Sequence, residues 1–508
     1  MTVDPESYPN GRFARLYDPE GNPIELREPN DPGTSLIPAR AMIDAMRALL
    51  KFLFTLVLIA AVIAGAAWFW VGRGSGPTIE ITQPGGYLGQ NSTLAVMLDS
   101  PDGRFSQIAV TVEQNGTSYP VYTMEQGGLE QDANGRQVVM RPIGKRAIPD
   151  LQEGSARIVV RASRPVLYGW RQLESTATRD VQVRLQPPRV EVLSTFHYVN
   201  HGGSEFVVYR AVPEDVESGV RVGDKEYRGF PASGAGIPGD SALRAAFFAL
   251  LYDQDLNTRI EVFARDPAGN VASTPLDYRV FPKPYGQSRI EIDDRFLQRV
   301  VPAIASSVPG ENIPTDDVLG GFLVINGELR RKNNQYLMDL ANKTSSDMLF
   351  KDAFQQLGNS QVEARFADAR TYMYKGKEVD RQVHLGFDLA VTANVPIVAS
   401  QRGVVVHADY LGIYGNCVVL DHGMGVQSLY AHLSSIGVKP GDTVEKGQQV
   451  GRSGMTGLAG GDHLHFTMLV GGQQVTPVDW WSEQWMQDRV LRKIAAAGGA
   501  AAQSGGAP

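Results

Sequence analysis

The sequence predicts a mainly β protein with a single N-terminal transmembrane helix. Short alternating segments separated by turn signals run from about residue 77 to 282, which is typical of β-sandwiches, and β-prone segments with glycine-rich turns return from about 360 to 481. One apolar segment, residues 52–71, contains no charged side chain. At 508 residues the chain is too long for one ordinary domain, so several folded units are expected.

Composition narrows the class of protein. A hydrophobic content of 43% with 20% charged residues is that of a globular protein. The net charge is −7 and no concentrated basic face is apparent, so nucleic acid is not an expected partner. Cys417 is the only cysteine, which excludes an intramolecular disulfide and a site built from several thiolates. Its apolar surroundings predict a small buried residue in a strand.

The apolar segment has the length of a bilayer-spanning helix, about twenty residues. Arg40, Arg47 and Lys51 precede it, whereas only Arg73 follows closely. The positive-inside rule then places residues 1–51 in the cytoplasm as a flexible tail and the rest of the chain outside.

A cleaved signal peptide is the competing interpretation of this segment, because Ala64-Gly65-Ala66 resembles a cleavage site. The long preceding tail, and the apolar run that continues past those residues, favour an uncleaved anchor. We therefore predict one pass through the inner membrane.

Residues 77–186 and 187–282 read as two tandem Ig-like β-sandwiches. Each begins after a proline with a short alternating strand, and each carries a Gly-Gly pair and a later strand of period two. Their expected role is spacing. His197 and His201 lie between strands of the second copy with no carboxylate nearby, and are expected to be solvated rather than to bind metal.

Residues 290–357 predict a small helical connector, whose position would also suit a lid over the region that follows. Asp293 is placed to cap a helix that stops near Pro302. A second helix is expected near residues 329–340 and a third over 348–357. At the C-terminus, residues 495–508 form an Ala/Gly stretch that we expect to be disordered.

Six of the eight histidines lie between His384 and His465. Four of the six lie in three short motifs. These are His384-Leu-Gly-Phe-Asp388, Tyr430-Ala-His432 and His463-Leu-His465. Histidine and aspartate are common zinc ligands, and histidine also transfers protons near neutral pH. The cluster therefore predicts a metal-dependent hydrolase.

Strand geometry constrains how these motifs share an ion. Fully extended, His384 and Asp388 would lie roughly 13 Å apart, so the chain must turn between them, which Gly386 permits. A strand places His463 and His465 on one face, roughly 7 Å apart, so that one binds metal and the other faces the metal-bound water. His432 follows a strand end and is expected to line the same cleft.

In order and spacing, the three motifs resemble those of the lysostaphin/LytM-type zinc metallopeptidases, which are peptidoglycan endopeptidases. The resemblance extends over roughly residues 360–482 and includes Asp421-His422-Gly423 and the glycine turns up to Gly457. It implies a twisted β-sandwich with a metal groove, in which His384, Asp388 and His465 bind Zn²⁺. It also implies that His432 and His463 are the catalytic pair.

Two further expectations concern residues outside these five. Some members of this family place a tyrosine near the zinc ion, for which Tyr372 and Tyr374 are candidates. His407 and His422 lie outside the motifs and are expected to be structural.

The expected protein is a membrane-anchored zinc endopeptidase in the periplasm that hydrolyses the stem-peptide cross-links of bacterial peptidoglycan through a metal-activated water. One alternative is a catalytically silent or activator-dependent wall-binding regulator of other hydrolases. Another is a zinc peptidase that acts on protein. The sequence identifies no protein regulator.

Overall fold

The structure is a computed structural model that describes residues 2–3, 12–28 and 39–504. The chain divides into two compact units. The first contains residues 1–78, 99–108 and 161–176, and the second contains residues 79–98, 109–160 and 177–508.

The first unit contains one long apolar helix, α1 (Ala39–Val71), of which Met42–Val71 is long and apolar enough to cross a membrane. The predicted flexible tail contains a small antiparallel sheet, of strands β1 (Thr2–Val3), β2 (Arg12–Tyr17) and β3 (Pro23–Glu28). The Asp18 carboxylate accepts hydrogen bonds from the backbone of Glu20 and Asn22, which closes the turn between the two longer strands. Residues 39–51 of the predicted tail form the beginning of α1, so the helix starts before the predicted residue 52; residues 1, 4–11 and 29–38 lie outside the described residues.

The predicted first β-sandwich contains a four-stranded sheet of order β4-β6-β10-β9 and a five-stranded sheet of order β5-β12-β11-β7-β8. The strands are β4 (Thr78–Gln83), β5 (Tyr87–Leu88), β6 (Ser92–Asp99), β7 (Gln107–Gln114), β8 (Thr117–Thr123), β9 (Glu130–Gln131), β10 (Gln137–Ile143), β11 (Gly154–Val166) and β12 (Arg171–Val183).

The predicted second β-sandwich contains two four-stranded sheets, β13-β15-β19-β18 and β17-β16-β20-β21, and the parallel pair β14-β22. The Ig-like assignment of both segments stays a prediction. The strands are β13 (Arg189–Val192), β14 (His197–Asn200), β15 (Ser204–Val212), β16 (Glu217–Val222), β17 (Lys225–Arg228), β18 (Phe230–Pro231), β19 (Leu243–Ala249), β20 (Ile260–Arg265), β21 (Val271–Pro275) and β22 (Tyr278–Phe281).

The expectation that His197 is solvated is wrong. His197 is buried, its Nδ1 donates to the Asp277 carbonyl at 3.0 Å, and its Nε2 lies 2.9 Å from the Ser194 hydroxyl. His201 Nε2 bonds the Gln254 carbonyl at 3.0 Å. Both imidazoles therefore satisfy local polar groups, and neither belongs to a metal-binding group among the described residues.

Between the β segments, two helical segments follow the strand β23 (Gln287–Ile292). The Asp293 carboxylate caps α2 by accepting from the Phe296 amide at 2.7 Å, as predicted. The predicted stop at Pro302 is wrong, because the buried side chains of Leu297, Val301 and Ile304 hold the helix together through Ser307. The first helical segment is α2 (Asp294–Ser307). The second is continuous and consists of α3 (Val318–Val324), a π-helical turn (Ile325–Leu329) and α4 (Arg330–Leu340).

The predicted third helix, residues 348–357, is irregular instead. Its backbone bonds neighbouring segments: the Leu349 amide donates to the His422 carbonyl, and the Phe354 amide donates to the Trp480 carbonyl. Phe350 and Phe354 are buried against Trp480. Contacts with distant residues therefore replace the hydrogen bonds of a helix.

The C-terminal β region is dominated by an eight-stranded sheet of order β24-β27-β35-β31-β30-β29-β33, with β36 paired to β35. Smaller sheets are β23-β25-β26 and β28-β34-β32. The strands are β24 (Gln361–Ala364), β25 (Asp368–Tyr374), β26 (Lys377–His384), β27 (Phe387–Ala390), β28 (Pro396–Val398), β29 (Gly403–Tyr410), β30 (Asn416–Asp421), β31 (Val426–Leu433), β32 (Ser435–Ile436), β33 (Thr443–Val444), β34 (Gln449–Arg452), β35 (His463–Val470) and β36 (Gln473–Val475).

The large sheet has two differently covered faces. Leu464, Phe466 and Met468 point into a core that is continuous with that of the second β segment, through Phe247 and Trp480. On the opposite face, helical side chains pack against the sheet in a second cluster, which includes Leu297 and Leu337 with Val419, Leu429 and Leu469. Cys417 is fully buried in this second cluster, as predicted.

The C-terminal stretch differs from the disordered tail expected for residues 495–508. It contains α5 (Glu483–Trp485), a π-helical turn (Met486–Leu491) and α6 (Arg492–Ser504), and residues 505–508 lie outside the described residues. The buried Lys493 ammonium bonds the Glu205 carboxylate at 2.9 Å and the Phe206 carbonyl at 2.8 Å. These two bonds hold the beginning of α6 against the second β segment.

The buried His422 predicts acid sensitivity of the fold. Its Nδ1 donates to the Arg402 carbonyl and its Nε2 bonds the Ser428 hydroxyl, both at 2.7 Å, and burial lowers its pKa to about 4. In the unfolded chain this imidazole takes up a proton near pH 6.5, so the folded state loses stability as the pH falls from 6.5 toward 4. The loss is about 1.4 kcal/mol per pH unit.

Replacing His422 by Gln should remove this dependence. Between pH 6.5 and 5.0, urea unfolding of metal-saturated protein should show a fall in unfolding free energy about 2 kcal/mol smaller for His422→Gln than for wild type. Parallel losses in the two proteins would contradict the assignment.

Candidate metal centre

The three predicted ligands converge because two strands meet at a glycine turn. Strand β26 ends at His384 and β27 begins at Phe387, so the chain turns at Leu385-Gly386. A Cβ atom on Gly386 would lie 2.5 Å from the imidazole of His465, so only glycine fits. Asp388 is the register partner of His465 on the neighbouring strand, which brings the third ligand alongside.

The ligand atoms form a compact triangle. His384 Nε2 lies 2.9 Å from Asp388 Oδ1 and 3.0 Å from His465 Nδ1, and His465 Nδ1 lies 3.0 Å from Asp388 Oδ1. Ligands of a tetrahedral zinc ion are separated by about 3.3 to 3.5 Å, given bonds of about 2.0 to 2.2 Å. The triangle would therefore accept such an ion with shifts of about half an ångström, and the residues fit the metal.

Arg370 binds the oxygen of Asp388 that faces away from this triangle. Its guanidinium donates to Asp388 Oδ2 at 2.9 Å and lies 3.5 Å from Asp368 Oδ2. The carboxylate therefore presents only Oδ1 to the ligand triangle. Burial alone would raise the pKa of Asp388, but the charge of His384 and hydrogen bonds from His384, His463 and His465 hold that pKa well below its usual range.

Hydrogen bonds to backbone carbonyls fix the orientation of the imidazoles. His384 Nδ1 donates to the Arg365 carbonyl at 3.1 Å, which leaves Nε2 facing Asp388. A carbonyl only accepts, so the proton must be on Nδ1, as is usual for metal-binding histidines. His465 presents Nδ1 to the cluster, and burial lowers its pKa to about 4.

The predicted catalytic pair lies beside the triangle. The rings of His432 and His463 are 4.9 Å apart, and His463 Nε2 lies 3.4 Å from Asp388 Oδ1. His432 Nδ1 donates to the Thr456 carbonyl at 2.8 Å and His463 Nδ1 to the Gly461 carbonyl at 2.9 Å. Each imidazole therefore keeps Nε2 for chemistry.

The surroundings of the two histidines shift their pKa values in opposite directions. Burial, together with the nearby charges of His463 and His465, lowers the pKa of His432 well below its usual value. Burial alone would lower the pKa of His463 too, but its hydrogen bond to Asp388 and the charge of that carboxylate raise it.

A β-bulge puts His432 on the metal face. In the pairing of β30 with β31, Asn416 faces Leu433 and Val418 faces Tyr430, so two residues of β31 lie opposite Cys417 alone. His432 has a φ of 62°, a left-handed conformation that is costly for a non-glycine residue. Regular alternation would have put its side chain on the same face as Tyr430, in the other core.

Besides Arg370, two further residues near the site were not anticipated from the sequence. Arg299 of α2 donates to the Ala459 carbonyl at 2.8 Å, in the loop whose carbonyls orient both predicted catalytic histidines. The Tyr414 ring lies 5.7 Å from that of His465. The only sequence signal for Tyr414 was the Gly415-Asn416 pair that follows it, which matches the flanking sequence of the resembled family.

Neither tyrosine candidate bonds a predicted ligand or catalytic histidine. Tyr372 packs against Phe322 at 5.5 Å, and the Tyr374 hydroxyl donates to Asp294 at 2.6 Å. His407 and His422 lie outside the cluster, as expected. His407 Nδ1 bonds the Tyr336 hydroxyl at 3.0 Å, and the contacts of His422 are those given above.

A buried His/Asp/His triangle with two further histidines beside it defines a candidate mononuclear metallohydrolase. Comparison with known proteins agrees with this class. Residues 382–477 match Peptidase family M23, and the chain therefore carries a domain of that metallopeptidase family.

Relatives with a named activity match over stretches of similar length. The DD-carboxypeptidase/endopeptidase Mpg of Neisseria meningitidis is 40% identical over 97 residues, which are 19% of this chain and 22% of the relative. Peptidoglycan DD-endopeptidase ShyA of Vibrio cholerae is 42% identical over 92 residues, 18% of this chain and 21% of the relative. The chain thus spans about a fifth of the length of these relatives.

Among solved structures, the catalytic domain of lysostaphin from Staphylococcus simulans is similar. It is 26% identical with a TM-score of 0.19, and the match covers 29% of this chain and 96% of that domain.

Ligands and catalytic histidines can be separated by metal content. We expect one zinc ion per chain in wild type, His463→Ala and His407→Ala after dialysis against zinc-free buffer. His465→Ala should lose at least about 100-fold in affinity, because even outer partners of metal ligands contribute 10–100-fold. Elemental analysis and chelator competition measure this, and full metal retention by His465→Ala would contradict the ligand set.

Proposed function

We propose that this protein is a membrane-anchored zinc endopeptidase that hydrolyses the stem-peptide cross-links of peptidoglycan. The observation that carries the proposal is the set of five side chains, with three ligand atoms about 3 Å apart and two imidazoles beside them, inside an M23 domain. Relatives of this domain that are named peptidoglycan DD-endopeptidases support the substrate class.

The residues of the site divide the work of peptide hydrolysis. His384, Asp388 and His465 would hold Zn²⁺, which when bound polarises a carbonyl and acidifies a water molecule. His432 and His463 would accept and deliver protons through Nε2, since Nδ1 of each is bonded to a carbonyl. The proton removed from the attacking water would pass to the leaving amine.

The helix α1 and the charges around it support the proposed location. The helix is apolar over Met42–Val71, and the basic residues that precede it favour a cytoplasmic N-terminus, so that the peptidase domain faces the periplasm. Anchoring in the inner membrane suits an enzyme whose substrate is an immobile polymer.

One observation favours the alternative of an activator-dependent enzyme. The helices α2–α4 pack on the same face of the large sheet that carries the ligands, and all four histidines of the site are less than 10% exposed. An activator that moved these helices would widen access to the cleft. The packing of these helices on the sheet supports a role for the region as part of the fold, so an activator would shift packed helices and not release a separate lid.

Digestion of sacculi tests the enzymatic proposal. Full-length protein in detergent with zinc should release new peptide termini, detected by mass spectrometry, and chelator should abolish the release. His463→Ala should lower the rate by about 100-fold or more, the usual contribution of a general acid or base. His407→Ala is the matched control.

The other outcomes identify the alternatives. Metal-loaded wild type that binds sacculi but releases nothing would contradict the enzyme and support the regulator. Cleavage of a Gly-rich protein substrate without cleavage of sacculi would instead favour a protein-directed peptidase.

The anchor is tested by fractionation. Full-length protein should stay in the membrane after a carbonate wash, whereas a chain that begins after residue 71 should be soluble. Mass spectrometry of the mature N-terminus should find residues before Ala64, and a start just after Ala66 would show a cleaved signal peptide instead. In cells whose outer membrane is permeabilised and whose inner membrane is intact, added protease should digest the C-terminal domain but not the N-terminal tail.

A further inference from the structure

A pocket of about 400 Å³ lies beside the metal centre and is lined by three arginines and no carboxylate. The arginines are Arg330 of α4, Arg370 of β25 and Arg381 of β26. The remaining lining is neutral and includes Asn334 and Gln382. Such a lining is suited to an anion.

The pocket is connected to all three predicted ligands. Arg370 bonds Asp388 at 2.9 Å, and Leu385, also in the lining, follows His384 directly. The Tyr414 hydroxyl donates to Asn334 at 3.2 Å, and the Tyr414 ring lies 5.7 Å from that of His465.

Sheet register places the pocket close to the metal site. Arg370 pairs with Gln382, and the next same-face pair along the two strands is Asp368 with His384. Gln382 is therefore one strand repeat from His384, roughly 7 Å. A group bound in the pocket would belong to the substrate residue nearest the reacting carbonyl or to its neighbour.

Two of the three arginines are already neutralised by acids. Arg370 bonds Asp388, and Arg381 bonds both oxygens of Glu378 at 2.6 and 3.1 Å. Arg330 donates only to the neutral Asn326, to its carbonyl at 3.1 Å and its side-chain oxygen at 2.5 Å. Within the described chain Arg330 forms no ion pair, so its charge is available to a ligand.

A buried polar network holds Arg330 in position. Asn326, which is fully buried, lies in the π-helical turn before Arg330, and its amide donates to Asp380 at 2.7 Å. Gln382 donates to the same carboxylate at 3.1 Å. Asp380 is thereby satisfied by amides, and Arg330 is held without being neutralised.

We propose that this pocket binds a carboxylate of the substrate peptide, with Arg330 as the specificity-determining residue. The inference rests on the proposed endopeptidase function and names the chemistry of one substrate residue. A guanidinium matches a carboxylate with two parallel hydrogen bonds, which a neutral amide cannot reproduce. The carboxylate is either the C-terminus of a stem peptide or an acidic side chain next to the scissile bond.

The test uses full-length zinc-loaded protein and a cross-linked stem-peptide dimer in three forms. One form has all carboxylates free, one has amidated C-termini, and one has amidated side-chain carboxylates. Wild type should cleave the free acid about tenfold better, in kcat/KM, than whichever amide removes the recognised group. That amide identifies the source of the carboxylate.

Variants then connect the preference to Arg330. Arg330→Gln should reduce the ratio of acid to amide cleavage from about ten to about one, mainly through KM. Arg330→Lys should restore part of it, and Asn334→Asp should lower it by repulsion. The exposed neighbour Arg331→Gln is the matched control and should keep the wild-type ratio.

Equal cleavage of acid and amides by wild type, or an unchanged ratio in Arg330→Gln, would overturn the inference while leaving the endopeptidase intact. If no dimer is cleaved, the proposed function fails. Calorimetric titration of the uncleaved dimers then tests separately whether the pocket binds a carboxylate. Tighter binding of the free acid that is lost in Arg330→Gln supports the inference, and equal binding of acid and amides overturns it.

Discussion

The two-residue alternation of strand β35 is the constraint on which the rest of the site depends. Leu464 and Phe466 enter one core, so His463 and His465 must stand on the opposite face. A slip of one residue would drive both imidazoles into that core and move the apolar pair among the polar groups of the site, at a cost of several kcal/mol. The hydrophobic effect therefore fixes the position of the chemistry, and the neighbouring strand adds Asp388 by register alone.

Alternation also explains which parts of the site could be predicted. The shared face of His463 and His465, and the turn at Gly386, follow from local geometry. His432 does not, because a bulge reverses its face, and a bulge leaves no regular trace in sequence. Its position after a strand end and the family resemblance had both placed it in the cleft, but neither predicted the bulge that turns it there.

The arginines were missed for a different reason. The roles of Arg370 and Arg330 depend on groups that are far away in the sequence. Arg370 bonds Asp388, and Arg330 lines a pocket that α4 shares with β25. A single sequence holds no signal for such partners. The irregular segment 348–357 was misjudged on the same ground, since distant backbone groups outcompete its local helical pattern.

The continuous core between the second β segment and the large C-terminal sheet limits how far the M23 domain can be moved into another protein on its own. Phe247 on one side meets Phe350 and Trp480 on the other, so cutting out the family-matching stretch would expose large aromatic rings to water. Tyr252 of the β segment even lines the arginine pocket. The second β segment, which was expected to be a spacer, therefore shares one hydrophobic core with the C-terminal sheet. A chimera that exchanges the M23 domain would have to include the residues on both sides of this core.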